Sequence, residues 1–593
     1  MGNAAAWDML TGRSKLYGCA VLFAASKLFA NIRAARGANP LRGLKYNMSL
    51  LDYVLALVLP QKRRGTLAGA MLGDILGLAL LWRGLALKAH VMDFWKLPRR
   101  QKFDLVGGIL VNASKGLPFV KEKIKKEHAK SRADLRVALK GNIKEEARAV
   151  TRELPMDGRD DESLLRFMGS LIKAEDKMWQ DGYVSGAVYH GEAEHLQCLN
   201  KVYGMYSITN PLHPDIWPST MKYEAEIVAM TANFVSGGTP SVCGCLTSGG
   251  TESILMAVKA HREWGLREKG IVSPEMIIPS TAHAAFDKAA ETLCIKLIKL
   301  PVSKKTFAVN PAHVAARMNA NTILIVGSAP NFPNGTIDPI EALSKLAKSH
   351  GVGLHVDCCL GGFFLPFARE LRDDIPKFDF SLPGVTSMSC DTHKYGYAAK
   401  GTSVVLLRDH ALRQHMYFTY ADWSGGFYCT PTMQGSRAGA LSAACWASMM
   451  RLGKRGYLEA TEKILAVREF IQRAIMGIDG ISVCGDPVAM VISWQSKTLN
   501  VYNVQDAMSK KGWHVNSTQR PPCGQICLTY RHTLEGVKEK FVADLRDAVA
   551  EVKANPSSSK SGGSASMYGT SASLPKGSVD DVLAMYMDLV LQV

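Results

Sequence analysis

The sequence predicts an α/β fold over residues 216–450, with a mainly parallel sheet covered by helices on both faces. Short apolar segments alternate there with helical patterns, which is typical of parallel sheets. The strand candidates are Met276–Pro279, Thr322–Ser328, Gly353–Asp357, Thr386–Ser389 and Ser403–Leu407. A glycine-rich turn, Gly249–Thr251, precedes a predicted helix over Ser253–Trp264. Together these features predict a large domain that could bind a ligand at the strand ends.

The first 105 residues are predicted to form a helical region that attaches the chain to a membrane. Thr66–Trp82 is the best candidate span, because its apolar residues would rise about 25 Å as a helix. Asp74 lies at its centre and would cost about 2.5–3.5 kcal/mol, which the surrounding leucines and isoleucine can offset. A helix lying on the membrane surface, or a buried helix, is the alternative.

The net charge of +18 lies almost wholly in the amino-terminal quarter of the chain. Residues 1–150 contain 27 Lys and Arg and 10 Asp and Glu, which leaves +1 for the remainder. A basic segment beside apolar stretches favours a membrane surface over nucleic acid. Basic residues after the apolar segment place the rest of the chain in the cytosol by the positive-inside rule. The thirteen cysteines lack metal-ligand spacing, so reduced thiols and no metal site are predicted.

The remaining segments are predicted from composition and periodicity. Residues 106–215 form a helical and loop segment of the catalytic body, with proline- and glycine-rich loops at Gly186–Gly191 and Asn210–Ser219. Residues 451–554 form a small α+β carboxyl-terminal domain. Residues 555–593 begin as a Ser/Gly-rich linker and end in an apolar helix that we expect to dock on the body or on a neighbouring subunit.

Lys394 is the residue around which a catalytic site is predicted. It follows the apolar run Val385–Met388 within the sequence SCDTHKYGYAAKG. A lysine at a strand end, in an apolar pocket, should have its ammonium form disfavoured, and a neutral amine can attack an aldehyde to form a Schiff base. The alternative is an ordinary solvated lysine in a turn.

Two further features suit an anionic, ring-containing cofactor. Gly249, Gly250 and Thr251 at a helix start offer backbone N–H groups, a hydroxyl and the positive end of the helix dipole to a phosphate. Asp357 ends an apolar strand, where its carboxylate could hold the proton of a pyridine nitrogen or simply cap a helix.

Three segments in chain order resemble the pyridoxal-phosphate enzymes of fold-type I. They are TAHAAFDKAA at Thr281–Ala290, HVDCCLGGFF at His355–Phe364 and DTHKYG at Asp391–Gly396. The chain is similar to the group that holds the amino-acid decarboxylases and the sphingosine-1-phosphate lyases, and the similarity to the lyases extends over roughly residues 160–550.

The resemblance implies a seven-stranded sheet and pyridoxal 5'-phosphate as the cofactor. It implies that Lys394 forms the Schiff base, that Asp357 contacts the ring nitrogen, and that His283 stacks on the ring. His393 is the implied phosphate contact, beside the Gly249–Thr251 turn.

The resemblance to the lyases also implies a substrate and a reaction. The implied contacts to the substrate phosphate and polar head are Tyr189, Asn210, His213, Lys400 and Ser436. The implied reaction is retro-aldol cleavage of the C2–C3 bond of sphingosine 1-phosphate and other phosphorylated sphingoid bases. Tyr189 and the released Lys394 are candidate bases for the C3 hydroxyl. An amino-acid decarboxylase of the same fold and an inactive membrane scaffold remain alternatives.

Assembly and location are expectations from the same resemblance. It implies a homodimer with shared active sites, in which the loop of Tyr189 and the loop of Ser436 complete the neighbour's site. It also implies an endoplasmic reticulum membrane protein whose catalytic domain faces the cytosol.

Overall fold

The computed structural model describes Arg132 and residues 151–175, 177–555 and 578–591. The chain divides into two compact units, and among the described residues the division falls after Lys177. The predicted membrane segment Thr66–Trp82 and the linker at 556–577 lie outside the described residues. No helix within the described ranges is long and apolar enough to cross a membrane.

The larger unit is built on a seven-stranded sheet, as predicted. Its strands are β1 (Cys243–Thr247), β2 (Glu275–Pro279), β3 (Lys296–Leu300), β4 (Thr322–Ser328), β5 (Gly353–Asp357), β6 (Ser387–Cys390) and β7 (Ser403–Leu407). Their order is β1-β7-β6-β5-β4-β2-β3. Only β7 is antiparallel to its neighbours, β1 and β6. The remaining pairs in the sheet are parallel.

Burial explains which strands the sequence revealed. Every residue of β2, β4, β5 and β7 is buried, as expected for strands covered on both faces, so these strands stand out as short apolar or small-residue runs. The edge strand β3 has the sequence KLIKL, and its two lysines are exposed. It was missed because it lacks a continuous apolar run.

Helices cover the sheet and lie between its strands. In this unit they are α2 (Lys177–Gln180), α3 (Ala193–Met205), α4 (Pro218–Val235), α5 (Gly250–Lys269), α6 (Ala285–Thr292), α7 (Pro311–Ala315), α8 (Ile340–His350), α9 (Leu365–Leu371), α10 (His410–Gln414), α11 (Gly439–Met476), α12 (Val501–Lys510) and α13 (Val537–Ala554). A two-stranded hairpin, β8 (Phe418–Tyr420) with β9 (Tyr428–Thr430), precedes α11.

Helix α5 begins three residues earlier and ends five residues later than predicted. Gly270 ends it in the left-handed region at φ 65°, and its N–H donates to the carbonyl of Leu266. Ile254, Met256 and Val258 of this helix belong to a buried apolar cluster that includes residues of β2 and β4. The early start places Gly250 and Thr251 in the first helical turn.

The carboxyl-terminal part of the unit contains a four-stranded antiparallel sheet. Its strands are β10 (Ser482–Val483), β11 (Val491–Gln495), β12 (Asn516–Thr518) and β13 (Cys523–Cys527), in the order β10-β11-β13-β12. Helix α11 crosses the predicted boundary at residue 450 and contains Gly453 in a non-helical conformation, φ 59°. The boundary itself remains a prediction.

Two helices among the described residues belong to the second unit. They are α1 (Asp161–Glu175) and α14 (Ser578–Leu591). The predicted carboxyl-terminal helix is therefore formed, and its docking remains a prediction.

Candidate active site

The predicted cofactor residues meet at one edge of the seven-stranded sheet. β5 ends at Asp357 and the parallel β6 ends at Cys390, just before Asp391 and Lys394. β1 runs in the same direction as β6, because both are antiparallel to β7, and it ends at Thr247 before the glycine turn. Carboxyl ends of parallel strands are the usual place for ligands in α/β proteins.

Lys394 is paired with a buried carboxylate. Its Nζ lies 2.9 Å from Oδ2 of Asp391, whose side chain is only 2% exposed. Burial alone would lower the pKa of Lys394. The Asp391 carboxylate opposes burial most strongly and, together with Cys359 and Tyr189, raises the pKa above its ordinary value. The expectation of a neutral amine is therefore wrong for this arrangement, because that expectation considered burial without the adjacent negative charge.

Asp357 is held as a carboxylate inside the protein. The backbone N–H of Cys359 and the hydroxyl of Ser389 donate to its Oδ1, at 3.1 and 3.2 Å. Burial alone would raise the pKa of Asp357, but hydrogen bonding from Cys359 and the neighbouring His355 outweigh burial and lower it. A buried carboxylate that stays charged is suited to hold the proton of a pyridine nitrogen.

The glycine turn lies against the lysine loop. A Cβ on Gly250 would lie 2.8 Å from both carboxylate oxygens of Asp391 and from Sγ of Cys359, so no larger residue fits there. Gly249 has φ 156°, and its missing Cβ faces the ring of His393. The glycine turn, which we call the cradle, fits the phosphate of pyridoxal 5'-phosphate. The Asp357 carboxylate fits its ring nitrogen, and Lys394 fits its aldehyde.

Two histidines border this cluster. His283 is exposed, and its Nδ1 accepts the backbone N–H of Ala285 at 3.0 Å, which fixes the ring and leaves the proton on Nε2. Nδ1 of His393 contacts the carbonyl of Thr402, and its Nε2 lies 3.7 Å from Asp391. Burial lowers the pKa of His393, against the attraction of that carboxylate.

Tyr189 and Lys400 lie beside Lys394 of the same chain. Tyr189 and Lys394 are close enough for the charge of each to affect the pKa of the other. Lys400 places its Nζ 4.6 Å from the centre of the Tyr189 ring, and it donates to the carbonyl of His393 at 3.3 Å. The prediction that a partner subunit supplies Tyr189 is therefore wrong, because each chain places its own Tyr189 at its own Lys394.

Burial and charge set the proton affinities of this pair. Burial raises the pKa of the Tyr189 phenol well above its ordinary value. Although much of the Lys400 side chain is exposed, its amine end is desolvated and close to Lys394, which lowers its pKa to about 8. The Tyr189 phenol therefore keeps its proton and is not suited to act as a base, whereas the pKa of Lys400 is about 8.

Asn210, His213 and Ser436 form a second group on two adjoining loops. The amide oxygen of Asn210 accepts the backbone N–H of Leu212 at 3.0 Å and that of Arg437 at 3.1 Å. Asn210 thus ties the two loops together. His213 and Ser436 are exposed in these loops, with the His213 ring 6.2 Å from that of Trp217.

Sequence reasoning missed the residues that support both groups. Asp391 belongs to the motif Asp391–Gly396, but the sequence alone does not show that its carboxylate contacts Lys394. A buried ion pair, Arg437 with Glu224 at 2.6 Å, holds the second loop, and each side chain is 9% exposed. The hydroxyl of Ser442 donates to the same glutamate at 3.0 Å. Glu224 sits on α4, and only the folded structure reveals this pairing.

Comparison with protein families gives one matching family over the centre of the chain. The family described as "Pyridoxal-dependent decarboxylase conserved domain" matches residues 193–497. A sphingosine-1-phosphate lyase of Dictyostelium discoideum is 43% identical over 501 residues, which cover 84% of this chain and 93% of that relative. A sphingosine-1-phosphate lyase of Arabidopsis thaliana is 47% identical over 448 residues, or 74% and 81% of the two chains.

Solved structures agree with these relatives. The structure of a Burkholderia pseudomallei sphingosine-1-phosphate lyase superposes with a TM-score of 0.68 at 42% identity, covering 69% of this chain and 94% of that one. A Lactobacillus brevis glutamate decarboxylase superposes with a TM-score of 0.60 at 20% identity, over 69% and 96% of the two chains. The second likeness concerns the fold alone.

Proposed function

The chain belongs to the sphingosine-1-phosphate lyase family, and we propose that it uses the residues around Lys394 to cleave the C2–C3 bond of phosphorylated sphingoid bases. The products are a long-chain aldehyde and phosphoethanolamine. The observation that carries this proposal is the meeting of Lys394, Asp357 and the Gly249–Gly250 cradle at the carboxyl edge of the sheet.

Pyridoxal 5'-phosphate, held through Lys394, supplies an electron sink for the negative charge left at C2 when the bond breaks. Asp357 keeps the ring nitrogen protonated through its buried carboxylate. The N–H groups of the Gly249–Thr251 turn and His393 hold the cofactor phosphate. His283 packs on the ring, with its orientation fixed by Ala285.

The substrate's phosphate and C3 hydroxyl are assigned to residues near the lysine. Lys400 provides a positive charge for the phosphate dianion, a contact worth about 1.5–3 kcal/mol. The raised pKa of Tyr189 suits it to hold a hydrogen bond rather than to remove a proton. Asn210, His213 and Ser436 are assigned to the polar head through the second pair of loops.

Product analysis tests the proposed reaction. The purified chain, incubated with sphingosine 1-phosphate, should release equal amounts of long-chain aldehyde and phosphoethanolamine. The Lys394→Ala variant should release neither. Release of carbon dioxide from glutamate or an aromatic amino acid, with no cleavage of the sphingoid base, would identify a decarboxylase instead.

The assembly we propose is a two-fold homodimer in which the His213 and Ser436 loops complete the neighbouring site. Both residues are exposed on their own chain, and their loops are held by the Arg437–Glu224 pair rather than by contacts of their side chains. An isologous dimer would present each loop to the other site. Sedimentation velocity should give a dimer, and a fully active monomer would contradict the assignment.

Membrane attachment through residues 1–105 is also proposed, with the catalytic body on the cytosolic face of the endoplasmic reticulum. The support is the apolar segment Thr66–Trp82 and the basic residues that follow it. A chain lacking residues 1–105 should appear in the soluble fraction with its activity intact. Membrane association that survives both this deletion and alkaline carbonate would place the anchor elsewhere.

A further inference from the structure

Asp391 is a buried carboxylate beside Lys394, and none of the cofactor contacts assigned above involves it. It follows β6 directly, and its carboxylate is 2% exposed, while the Lys394 side chain beside it is 22% exposed. Its Oδ2 lies 2.9 Å from Lys394 Nζ. Its Oδ1 is buried without a hydrogen-bond partner among the described residues. The carboxylate is therefore committed to the lysine.

The groups that face Asp391 come from several elements. The titratable and charged groups that feel its charge are Lys394, His393, Lys400, Tyr189, Cys359 and Cys390. The Tyr189 phenol and both thiols are held neutral, because burial raises the pKa of each. Of the two lysines in this set, Lys394 is the one that forms an ion pair with Asp391.

We propose that Asp391 is a positioning residue that holds Lys394 as an ammonium ion whenever the lysine is not bonded to the cofactor. The Asp391 carboxylate is neither the partner of the ring nitrogen nor a group for the substrate phosphate. It acts on the reaction through Lys394 alone. The inference rests on Lys394 being the cofactor's lysine.

The proton balance shows what this pairing does. To attach the cofactor, the Lys394 ammonium loses one proton to solvent, its nitrogen bonds to the aldehyde carbon, and the aldehyde oxygen leaves as water. When a substrate amine replaces the lysine, the substrate ammonium loses a proton and Lys394 leaves with one. Asp391 therefore slows attachment and favours release of the lysine. Burial would lower the pKa of Lys394, and the ion pair with Asp391 is the strongest influence in the opposite direction.

The test follows cofactor attachment rather than turnover. The full-length chain is stripped of cofactor with hydroxylamine, and the rate at which added pyridoxal phosphate attaches is followed by absorbance between about pH 6 and pH 9. In the wild type the rate should rise about tenfold per pH unit across this range, since the neutral amine remains a minor species. In Asp391→Asn, the main opposition to burial is removed, so the rate should level off within the range.

Dividing the variant rate by the wild-type rate at each pH cancels the effect of the cofactor's own ionisations, because both proteins receive the same cofactor. At about pH 7 we expect Asp391→Asn to attach cofactor at least about tenfold faster than the wild type. Asp379→Asn is the matched control, because Asp379 is equally buried in an ion pair with Arg369. Its pH profile should follow the wild type.

Several results would overturn the proposal. A wild-type rate that levels off below about pH 8 would show that Lys394 is not held as an ammonium ion, and this needs no variant. An Asp391→Asn profile that superposes on the wild type would do the same, and Asp391→Ser repeats the comparison if the amide variant does not fold. Borohydride reduction and peptide mapping identify the attached lysine, so an error in assigning Lys394 is detected separately.

Discussion

The two halves of the proposed site are built in opposite ways. Around Lys394 the central groups lie inside the protein and contact one another. Lys394 is paired with the buried Asp391, and Asp391 packs against the glycine turn. On the loops of His213 and Ser436 these two side chains are exposed, and the contacts that order the loops are made by the side chain of Asn210 and by a buried ion pair.

This difference indicates which half is complete within one chain. The Lys394 half is pre-organised, so its charges and proton affinities are set before any ligand arrives. The two loops of the other half are joined by Asn210 and the Arg437–Glu224 pair, while His213 and Ser436 are exposed, and we propose that these two residues serve a neighbouring site. Substitutions in the two halves should therefore fail differently.

The largest effect is expected in the pre-organised half. Lys394→Ala should lower turnover by about 10⁴-fold or more, because the variant lacks the amine that holds the cofactor. Asp357→Asn should lower it by at least about a hundredfold while the protein still folds, since an amide cannot balance the ring charge. The readouts are product release, cofactor absorbance and circular dichroism. Wild-type turnover in either variant would remove that residue from the mechanism.

A smaller effect is expected when the support of the loop half is removed. Glu224→Gln leaves Arg437 buried beside a neutral amide, and breaking a buried pair costs about 3–5 kcal/mol at most. We expect a lower melting temperature and a kcat/KM reduced about tenfold or more, with cofactor content per subunit unchanged. Glu226→Gln on the same helix is the control, because its pair with Lys222 is exposed and should matter little.

Loss of cofactor from Glu224→Gln would show that the two halves are not independent. Unchanged kinetics in that variant would show that the loops need no such support.

The smallest effect is a pH dependence at the boundary between the halves. Lys400 has a pKa of about 8, so its positive charge is present below that pH and is lost as the pH rises through it. The KM for sphingosine 1-phosphate should therefore rise about tenfold above pH 8, the worth of one charge-assisted contact. Lys400→Arg stays charged and should keep KM flat over the same range. The ratio of the two profiles cancels ionisations of the substrate.

Most of the sheet could be predicted from the sequence because its buried strands are short runs of apolar or small residues. β4, β5 and β7 were predicted with their observed bounds, since each is an uninterrupted buried run. The edge strand β3 and the short β12 lack that signal, because their residues are partly exposed. Helix α11 crosses the predicted domain boundary at residue 450, and its length is hard to predict because its first half is rich in small residues and it is interrupted at Gly453.

The site could be predicted as a set of residues but not as a set of contacts. Resemblance supplied Lys394, Asp357 and the glycine turn, and the structure brings these together. It could not supply the Asp391 pairing, because the fold of a loop decides which way a carboxylate turns. Nor could it assign Tyr189 to its own chain, because some two hundred residues separate it from Lys394 and only the folded chain fixes their distance.

The division of the site between two chains is the central claim, and co-expression of inactive variants tests it most directly. Lys394→Ala disables one half, and a chain carrying both His213→Ala and Ser436→Ala disables the other. In a mixed dimer with shared sites, one site carries every defect and the other carries none. Random pairing makes half of the dimers mixed, so activity should return to about a quarter of the wild type.

Tyr189→Phe gives the matched control, because Tyr189 lies beside Lys394 of its own chain. Co-expressed with Lys394→Ala, it should restore no activity, since neither site of the mixed dimer is intact. Recovery in the Tyr189 pairing, or none in the His213 and Ser436 pairing from well-folded proteins that co-purify, would contradict the account.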